Sequence, residues 1–469
     1  MTEPADLRAA TRATSAVERV FDRAAGGPPV PGNRVTLLQD GPEVYASMLR
    51  LIAEAKRWIH FENYIIRDDR TGKLFAEALA TRARQGLPVR LLYDWLGSVS
   101  TSRRFWRFLR EAGVDVRCFN PPNLLKVLGN ISRDHRKVLV TDGNRAVVGG
   151  LCIGDEWSGD QARNLAPWRD TAVEIAGPVS QVIDDSFALV WRTTGTPLPE
   201  DERRGDVAER GEAAVRVVMG EPGQERAYRV LEYLAAGCGS RLWITDAYLV
   251  PPPRLFTVMV EAARDGADIR LLVPGTSDVA LVRNLTRIGY RDLLRAGIRI
   301  FEWDGPMLHA KTAVMDSRWV RIGSSNLNAS SLLGNYECDV VIQDEELGRA
   351  MEGRFRKDLV QSQEVLRQPY NLGPRLGRIA PSRLTRQSTG PHAIHRQRAA
   401  RSFRGRTAIT ARTLISGAWR SILGPLSIGL IALGALFFGA PKVTAYFFGV
   451  ICVWFSVAAA LEAWRRRGD

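Results

Sequence analysis

The amino-acid sequence predicts an α/β protein built from two copies of one sandwich-like unit, followed by a hairpin of two apolar helices. Three observations support this prediction. A His-x-Lys-x-x-x-x-Asp segment occurs at His135 and again at His309, 174 residues later. Strand-like and helix-like patterns alternate in the same order before both segments. Two uncharged runs of 19 residues, 422–440 and 443–461, lie near the carboxyl end, and each is long enough to span a bilayer as a helix.

The first unit is expected over residues 33–195, after a flexible lead-in of residues 1–32 that ends in a cluster of glycines and prolines. Runs rich in β-branched residues alternate there with amphipathic runs of helical length. The expected strands are 35–38, 58–66, 89–93 and 114–119, and the expected helices are 42–56, 73–85 and 103–112. Alternation of this kind predicts a mainly parallel sheet with helices on both faces.

The second unit is expected over residues 213–367, because short segments there repeat the first unit in the same order. Residues 241–244 resemble 57–59, residues 269–272 resemble 89–92, and residues 296–300 resemble 112–116. Each match is weak alone, but their common order indicates a duplication. The boundary between the units is expected within residues 193–212, which are rich in glycine, proline and charge.

The net charge of +14 is concentrated near the carboxyl end. Residues 371–420 contain eleven arginines and no acidic residue, and we expect residues 369–420 to be a mobile basic linker. A nucleic-acid enzyme would more often carry its basic excess on the catalytic body. Next to apolar helices, the excess indicates a membrane surface as partner and no nucleic acid. The five cysteines are scattered without a CxxC pair, which predicts neither a disulfide framework nor a zinc site.

The apolar hairpin is expected over residues 422–462 and should cross a membrane twice. Basic residues flank both of its outer ends, at Arg412 and Arg420 before it and at residues 465–467 after it. The positive-inside rule places both ends on the cytoplasmic side. We therefore expect a multi-pass protein of the cell membrane with its catalytic units in the cytoplasm. A buried hairpin of a soluble protein is the alternative.

The repeated segment suggests chemistry on an oxyanion. Each copy lies in an apolar, β-branched run, and residues two apart on a strand share a face. His135 and Lys137 should therefore point to one side, as should His309 and Lys311. A single copy arises often by chance, whereas two copies in register do not. Two imidazoles and two ammonium groups in one cleft would suit a phosphodiester: one histidine attacks phosphorus, and the other protonates the departing alkoxide. No metal or other cofactor is expected.

The aspartates of the two segments, Asp142 and Asp316, require a separate interpretation. Each lies seven residues after its histidine, an odd spacing that puts it off the His-Lys face if the strand continues. We expect their carboxylates to bind the backbone or a basic group at a turn, although they belong to the candidate catalytic set.

With these residues in hand, the sequence resembles the phospholipase D superfamily, whose signature is the paired His-x-Lys-x-x-x-x-Asp segment. Residues 33–367 are most similar to the bacterial cardiolipin synthases within it. The resemblance implies catalytic roles for both segments, with His135 as nucleophile and His309 as general acid. It also implies that Glu337 in the second unit and Asp170 in the first are the acids that orient the histidines. Ser324 and Asn326 are implied as further supporting residues, and Cys152 occupies a position where those synthases usually have Asn.

The reaction implied by this resemblance is the transfer of a phosphatidyl group through a phosphohistidine, joining two phosphatidylglycerols into cardiolipin with release of glycerol. A phospholipase D that uses water or another alcohol is the alternative. A nuclease of the same superfamily and a non-catalytic membrane scaffold are two further alternatives. The nearly neutral body and the apolar hairpin argue against the nuclease, and the intact second segment argues against the scaffold. The sequence makes no prediction of oligomeric state.

Overall fold

The computed structural model of the protein describes residues 18–122, 132–202, 207–276 and 280–366. These residues belong to one compact unit, Met1–Gln368. The basic linker predicted over residues 369–420 and the helical hairpin predicted over residues 422–462 lie outside the described residues. Within the described ranges, none of the helices combines the length and the apolar character that crossing a membrane demands.

The first half contains the predicted alternation of strands and helices. Its elements are β1 (Val30–Gln39), α2 (Asp40–Glu54), β2 (Ile59–Asn63), α3 (Arg70–Arg84), β3 (Val89–Asp94), α4 (Arg103–Glu111), β4 (Asp115–Phe119), β5 (Lys137–Thr141), β6 (Arg145–Gly149), α5 (Asp155–Ser158), β7 (Thr171–Ala176) and α6 (Val179–Thr193). Local signals fix the helix starts: Asp69 accepts a hydrogen bond from the Gly72 amide before α3, and Ser102 accepts one from the Phe105 amide before α4.

The second half repeats this order. Its elements are β8 (Ala213–Gly220), α7 (Arg226–Ala236), β9 (Arg241–Thr245), α8 (Pro253–Arg264), β10 (Asp268–Pro274), α9 (Ala280–Arg295), β11 (Arg299–Trp303), β12 (Thr312–Met315), β13 (Trp319–Gly323), β14 (Glu337–Gln343), α10 (Glu345–Val360) and β15 (Ser362–Glu364). The duplication inferred from short sequence matches is therefore a duplication of structure.

The sheet is mixed, so the prediction of a mainly parallel sheet is wrong. The strands follow the order β15-β11-β10-β9-β12-β13-β14-β8-β1-β7-β6-β5-β2-β3-β4. Only β2-β3-β4 and β9-β10-β11 are parallel, whereas the other neighbours are antiparallel. The reason is the turn after each repeated segment. Asp142 and Gly143 have φ of 57° and 66°, and Asp316 has φ of 52°, so a tight turn reverses the chain and an antiparallel strand must follow.

The two halves share a buried core, and helices lie on both faces of the sheet in each half, as predicted. Valines and isoleucines of β5, β6 and β7 pack together with those of β12, β13 and β14, and α6 and α10 complete this cluster. Helices α2–α4 cover the outer face of the first half, and α7–α9 cover that of the second. Strand β1 joins the halves, because it pairs with β7 on one side and with β8 on the other.

Part of the expected flexible lead-in is ordered. Residues 18–25 form a helix, α1, and β1 begins at Val30. Phe21 of α1 is buried in the core of the second half, with its ring 5.2 Å from that of Trp319. Composition identified the glycine- and proline-rich turn correctly, but it could not show that a helix preceding the turn packs its apolar face on the second half.

Candidate active site

The two repeated segments meet at the interface between the halves. Each histidine precedes the strand in which it was predicted, since β5 begins at Lys137 and β12 at Thr312. The backbone amide of His135 donates to the carbonyl of Tyr336 at 3.0 Å, and that of His309 donates to the carbonyl of Arg169 at 2.7 Å. Each histidine is thus hydrogen-bonded to a segment of the other half. Two short β-bridges, Asp134 with Tyr336 and Leu308 with Arg169, thus hold both histidines at the interface between the halves.

The acids are exchanged between the halves. The family resemblance implied Asp170 and Glu337 as the acids that orient the histidines, without pairing either acid with one histidine. His135 Nδ1 lies 3.0 Å from both carboxylate oxygens of Glu337, and His309 Nδ1 lies 2.8 Å from Asp170 Oδ2. This arrangement occupies Nδ1 of both rings with a carboxylate. It leaves both Nε2 atoms available for chemistry.

Both lysines are buried next to their histidines. The exposed fraction is 4% for Lys137 and 0% for Lys311. Each ammonium group donates to the backbone carbonyl of the histidine two residues before it. An aromatic ring lies near each ammonium, Tyr64 with its centroid 5.1 Å from Lys137 Nζ and Tyr248 at 5.9 Å from Lys311 Nζ. The same Tyr64 ring lies 4.9 Å from the His135 ring, so each half contributes an equivalent His-Lys-Tyr group.

Burial and the neighbouring cations keep both imidazoles neutral. The pKa of His135 falls well below its usual value because of burial and the charges of Lys137 and Lys311. Burial and Lys311 lower the pKa of His309 to about 4, although Asp170 opposes the shift. Burial also lowers the pKa of Lys311 to about 8. A site with this charge distribution favours the binding of an anion, because the negative charge of the anion would offset the positive charge of the lysines.

The two acids differ in basicity. Burial alone would raise the pKa of Asp170, but its hydrogen bond from His309 and the nearby cations hold that pKa below its ordinary value. Burial raises the pKa of Glu337 to about 7, despite the opposing charge of Lys137 and the hydroxyls of Ser324 and Ser331. At neutral pH, Asp170 is therefore a full carboxylate beside His309. Glu337 is a weaker acid, and beside His135 it holds a proton more readily than Asp170 does.

Ser324 and Asn326 have different surroundings. Ser324 Oγ donates to Glu337 Oε2 at 2.5 Å and accepts from the Cys338 amide at 3.0 Å, so it helps to fix the acid of His135. The backbone amide of Asn326 donates to Ser331 Oγ at 2.8 Å. Asn326 Oδ1 is buried and has no hydrogen-bond partner among the described residues. Asn326 is thus able to offer a polar side chain to a ligand.

The equivalent positions in the first half are Gly150 and Cys152. A Cβ atom on Gly150 would lie 2.3 Å from Asp170 Oδ1, so only glycine leaves room for that acid. Cys152 is buried, and burial raises the pKa of its thiol. It lacks the amide donors that an asparagine would supply. The two halves of the site are therefore not chemically identical.

Asp142 and Asp316 lie in the turns at the far ends of β5 and β12. Asp142 Oδ1 accepts from the backbone amide of Arg57 at 2.7 Å, and also from those of Lys56 and Trp58. Asp316 accepts from the backbone amides of Gly239, Ser240 and Arg241 at 2.8–2.9 Å. Both carboxylates thus bind the backbone at a turn, as expected, and their place in the catalytic set stays a prediction. The odd spacing from the histidine indicated this role.

A buried ionic network next to His135 was not found from the sequence. Arg136 lies between Glu62, at 2.8 Å, and Asp134, at 3.5 Å. Asp94 accepts from the Asp134 amide at 3.0 Å and lies 3.4 Å from the Arg133 guanidinium. These contacts position the segment that carries His135. A signal was present, since the positions equivalent to 133, 134 and 136 are the apolar residues Met307, Leu308 and Ala310. Among the described ranges, no group of three or more His, Cys, Asp and Glu residues is placed to hold a metal ion.

The chain is similar to known proteins over most of the described residues. A family model described as cardiolipin synthase, PLD-like domain, matches residues 48–172 and 233–359. Cardiolipin synthase A of Pseudomonas syringae is 30% identical over 77% of this chain and 77% of its own length. Cardiolipin synthase 2 of Bacillus anthracis is 32% identical over 70% of this chain and 65% of its own length. The cardiolipin synthase of Geobacillus kaustophilus is 31% identical over 75% of this chain and 71% of its own length.

Solved structures resemble the fold. The phosphatidylserine synthase of Haemophilus influenzae superposes with a TM-score of 0.59 at 15% identity, covering 75% of this chain and 92% of that chain. The polyphosphate kinase of Porphyromonas gingivalis gives a TM-score of 0.50 at 15% identity, covering 71% of this chain and 48% of that chain. At such identities these likenesses concern the architecture alone.

Proposed function

The chain belongs to the cardiolipin synthase family with phospholipase D-like domains, and from this membership we propose that it joins two phosphatidylglycerols into cardiolipin and releases glycerol. It is a phosphatidyltransferase enzyme of that family. The observation that carries the chemistry is the pair of exchanged contacts, His135 with Glu337 and His309 with Asp170. Two oriented imidazoles with two buried ammonium groups supply what a two-step displacement at phosphorus requires.

In the first step, His135 is the nucleophile. Its Nε2 lone pair attacks phosphorus of the first phosphatidylglycerol, a P–N bond forms, and the bond from phosphorus to the glycerol oxygen breaks. His309 gives its Nε2 proton to that oxygen, so glycerol leaves as a neutral alcohol. The bound phosphodiester offsets the charges of the lysines, and imidazolium is then favoured most beside the ionised Asp170. This difference between the acids favours His309 as the proton donor.

In the second step, the phosphohistidine on His135 passes the phosphatidyl group to a second phosphatidylglycerol. His309, now neutral, removes the proton of the attacking hydroxyl while the P–N bond breaks, and cardiolipin leaves. Lys137 and Lys311 bind the non-bridging oxygens throughout, where negative charge grows in each transition state. Water in place of the second lipid would give phosphatidic acid, which is the phospholipase D alternative. Access to the site decides between these acceptors.

We also propose that the enzyme is anchored in the membrane by residues 422–462, with the catalytic body on the cytoplasmic side. The length of the two apolar runs and their basic flanks support this proposal. The basic linker of residues 369–420 would gather anionic phosphatidylglycerol, because each basic residue near such a surface contributes about 1 kcal/mol. Changing Arg375, Arg378, Arg383, Arg386, Arg396 and Arg398 to glutamine should leave the protein in membranes. The same change should lower the rate most on bilayers dilute in anionic lipid.

Product analysis tests the reaction. Purified full-length protein in detergent micelles of phosphatidylglycerol should form cardiolipin and glycerol in equal amounts. His135→Ala and His309→Ala should each lower the rate by at least a thousandfold. Phosphatidic acid as the main product would establish the phospholipase D alternative, and the absence of both products would refute a phosphatidyltransferase.

A substrate with a better leaving group tests the assignment of the histidines. A p-nitrophenyl phosphatidyl ester expels an anion that requires no proton. With this ester, His309→Ala should therefore retain the burst of p-nitrophenol, whereas His135→Ala should abolish it. Mass spectrometry of the trapped protein should locate phosphate on His135. A burst retained by His135→Ala, with phosphate on His309, would reverse the two roles.

A further inference from the structure

Beside the active site, the first half presents an apolar and basic surface that the proposed chemistry does not use. We call it the docking surface, and it consists of the loop of residues 95–101 and helix α4. We propose that the docking surface rests on an anionic phospholipid bilayer, with two aliphatic side chains inserted and a group of arginines bound to lipid phosphates. This inference rests on the proposed function, because it describes how the catalytic body reaches its lipid substrate.

The docking surface lies at the edge of the sheet that carries the catalytic residues. The loop follows the carboxyl end of β3, and β2 ends beside the start of β5, where Asn63 pairs with Lys137. Ser98 Oγ donates to the Tyr64 carbonyl at 3.2 Å and accepts from the Ile66 amide at 3.1 Å. The ring of Tyr64 lies 4.9 Å from that of His135. A bilayer in contact with the loop would therefore lie next to the site.

The loop presents two large aliphatic side chains to the solvent. The exposed fraction is 49% for Leu96 and 61% for Val99, so both apolar side chains are in contact with solvent. The backbone that carries them is well fixed, since the Leu96 amide donates to Asp94 Oδ1 at 2.8 Å and Thr101 Oγ1 donates to the Ile66 carbonyl. An exposed apolar pair on a fixed loop is suited to insertion into an apolar phase.

Helix α4, which begins four residues after Val99, carries a group of exposed arginines. Arg103, Arg104 and Arg107 are exposed, and within the described part of the chain none of them has an ion pair or hydrogen bond to another residue. Arginine groups of this kind bind phosphate, because the guanidinium fork matches its oxygens. Exposed arginines elsewhere on the body often have an acidic neighbour, such as Glu345 for Arg349.

Part of this arginine group lines a cavity of about 380 Å³ that is largely open to solvent. The rings of Tyr93 and Trp106 stack 3.8 Å apart within its lining. The complete lining is Tyr93, Arg103, Trp106, Arg107, Arg110 and Glu111. Three guanidinium groups against one carboxylate give the cavity a positive charge, and its size suits a phosphate-bearing headgroup.

The combination of features favours a bilayer over a nucleic acid. The arginines alone would suit either polyanion. A nucleic acid, however, offers no apolar phase for Leu96 and Val99, whereas a bilayer supplies phosphates and hydrocarbon at adjacent depths. The docking surface would hold the site at the headgroup level, where the phosphodiester of the substrate lies.

Photocrosslinking tests the proposal without using activity. Full-length protein carrying p-benzoylphenylalanine at Val99 is reconstituted into vesicles of phosphatidylcholine with a minor share of phosphatidylglycerol, and is then irradiated. The matched control carries the same residue at Tyr233, which is also exposed. Tyr233 lies near the end of α7, which leads to the amino end of β9, whereas the active site lies at the carboxyl end of that strand. Lipid adducts at Val99 should exceed those at Tyr233 at least tenfold. Equal yields at the two positions would overturn the proposal.

Two sets of variants give an independent measurement, the ratio of the rate on vesicles to the rate in detergent micelles. The apolar variant is Leu96→Ser with Val99→Ser, and the basic variant changes Arg103, Arg104 and Arg107 to glutamine. The matched control changes Arg264, Arg295 and Arg349 to glutamine. These changes remove the same charge from helices α8, α9 and α10 of the second half. The basic variant should lower the ratio at least tenfold, since each basic residue near an anionic surface is worth about fivefold. The apolar variant should also lower it at least tenfold, because binding strength scales with the apolar area buried in the bilayer. The control should change it less than twofold.

The outcomes separate this proposal from the proposed function. If the wild type forms no cardiolipin in micelles, the proposed function fails. If micellar activity is present and both test variants keep the wild-type ratio, the docking surface is refuted while the function stands. An effect of the basic variant alone, without lipid adducts at Val99, would indicate a soluble polyanion as the ligand and would also refute bilayer insertion.

Discussion

Replacement of Asp316 by alanine should destabilise the protein while leaving its chemistry intact. The carboxylate accepts hydrogen bonds from three consecutive backbone amides, those of Gly239, Ser240 and Arg241, at 2.8–2.9 Å. Allowing about 1 kcal/mol for each bond on this partly exposed turn gives about 3 kcal/mol. The φ of 52° at Asp316 adds roughly 1 kcal/mol, because alanine tolerates the left-handed region less well than aspartate.

Thermal unfolding and the initial rate below the unfolding midpoint measure the two effects separately. A loss of about 4 kcal/mol should lower the midpoint by roughly 5–10 °C. The rate per folded molecule should remain within about threefold of the wild type. Asp316→Asn keeps one acceptor oxygen and should lose about half as much stability. The control Asp265→Ala, at the exposed end of α8, should leave the midpoint within 1 °C.

The opposite pattern would refute this reasoning. If Asp316→Ala lowered the rate a hundredfold or more and left the midpoint unchanged, the aspartate would act in the reaction. The backbone contacts would then not be its main role. Asp142→Ala should behave in the same way as Asp316→Ala, since Asp142 binds the amides of residues 56–58.

Three further predictions concern the site itself. The rate should fall as pH rises through about 8, where the Lys311 ammonium loses its proton. In Lys311→Arg the fall in rate should occur at higher pH, and an unchanged pH profile would contradict the assignment of the fall to Lys311. Gly150→Ala should lower the rate at least tenfold with little change in expression, because the added Cβ would lie 2.3 Å from Asp170 Oδ1; wild-type activity in this variant would show that Asp170 can move freely. Turnover in micelles should persist in excess EDTA, because two buried ammonium groups repel a divalent cation; restoration of a lost rate by added metal would contradict the two-histidine mechanism.

The sequence predicted much of the fold because duplication leaves a record in residue spacing. The repeated His-x-Lys-x-x-x-x-Asp segments identified the halves, and hydrophobic patterns placed α2, α3 and α4 within three residues of their observed starts. Strand direction was predicted wrongly because periodicity along one strand carries no information about its neighbour. A signal was available in Asp142-Gly143, a pair typical of tight β-turns.

The partners of the histidines could not be predicted from spacing. Asp170 lies 35 residues after His135 and Glu337 lies 28 residues after His309, and neither distance shows which histidine each acid contacts. Whether a side chain crosses between halves depends on how two sheets pack, and this is settled by buried surfaces far from the motif. The role of Gly150 was hidden for the same reason, since the space that it leaves is filled by a residue 20 positions later.

The exchanged acids also bear on how such a protein could arise. One copy of the repeat holds a histidine and a carboxylate that cannot meet each other, so it becomes complete only beside a second copy. Two separate chains would have to find each other in solution, and activity would depend on their concentration. In this chain the two copies are covalently connected by the segment before β8, and β1 pairs with both halves. The copies therefore meet within one molecule, independently of protein concentration. Once joined, the copies could diverge in sequence. In the first half Gly150 leaves room for Asp170, whereas in the second half Ser324 donates a hydrogen bond to Glu337.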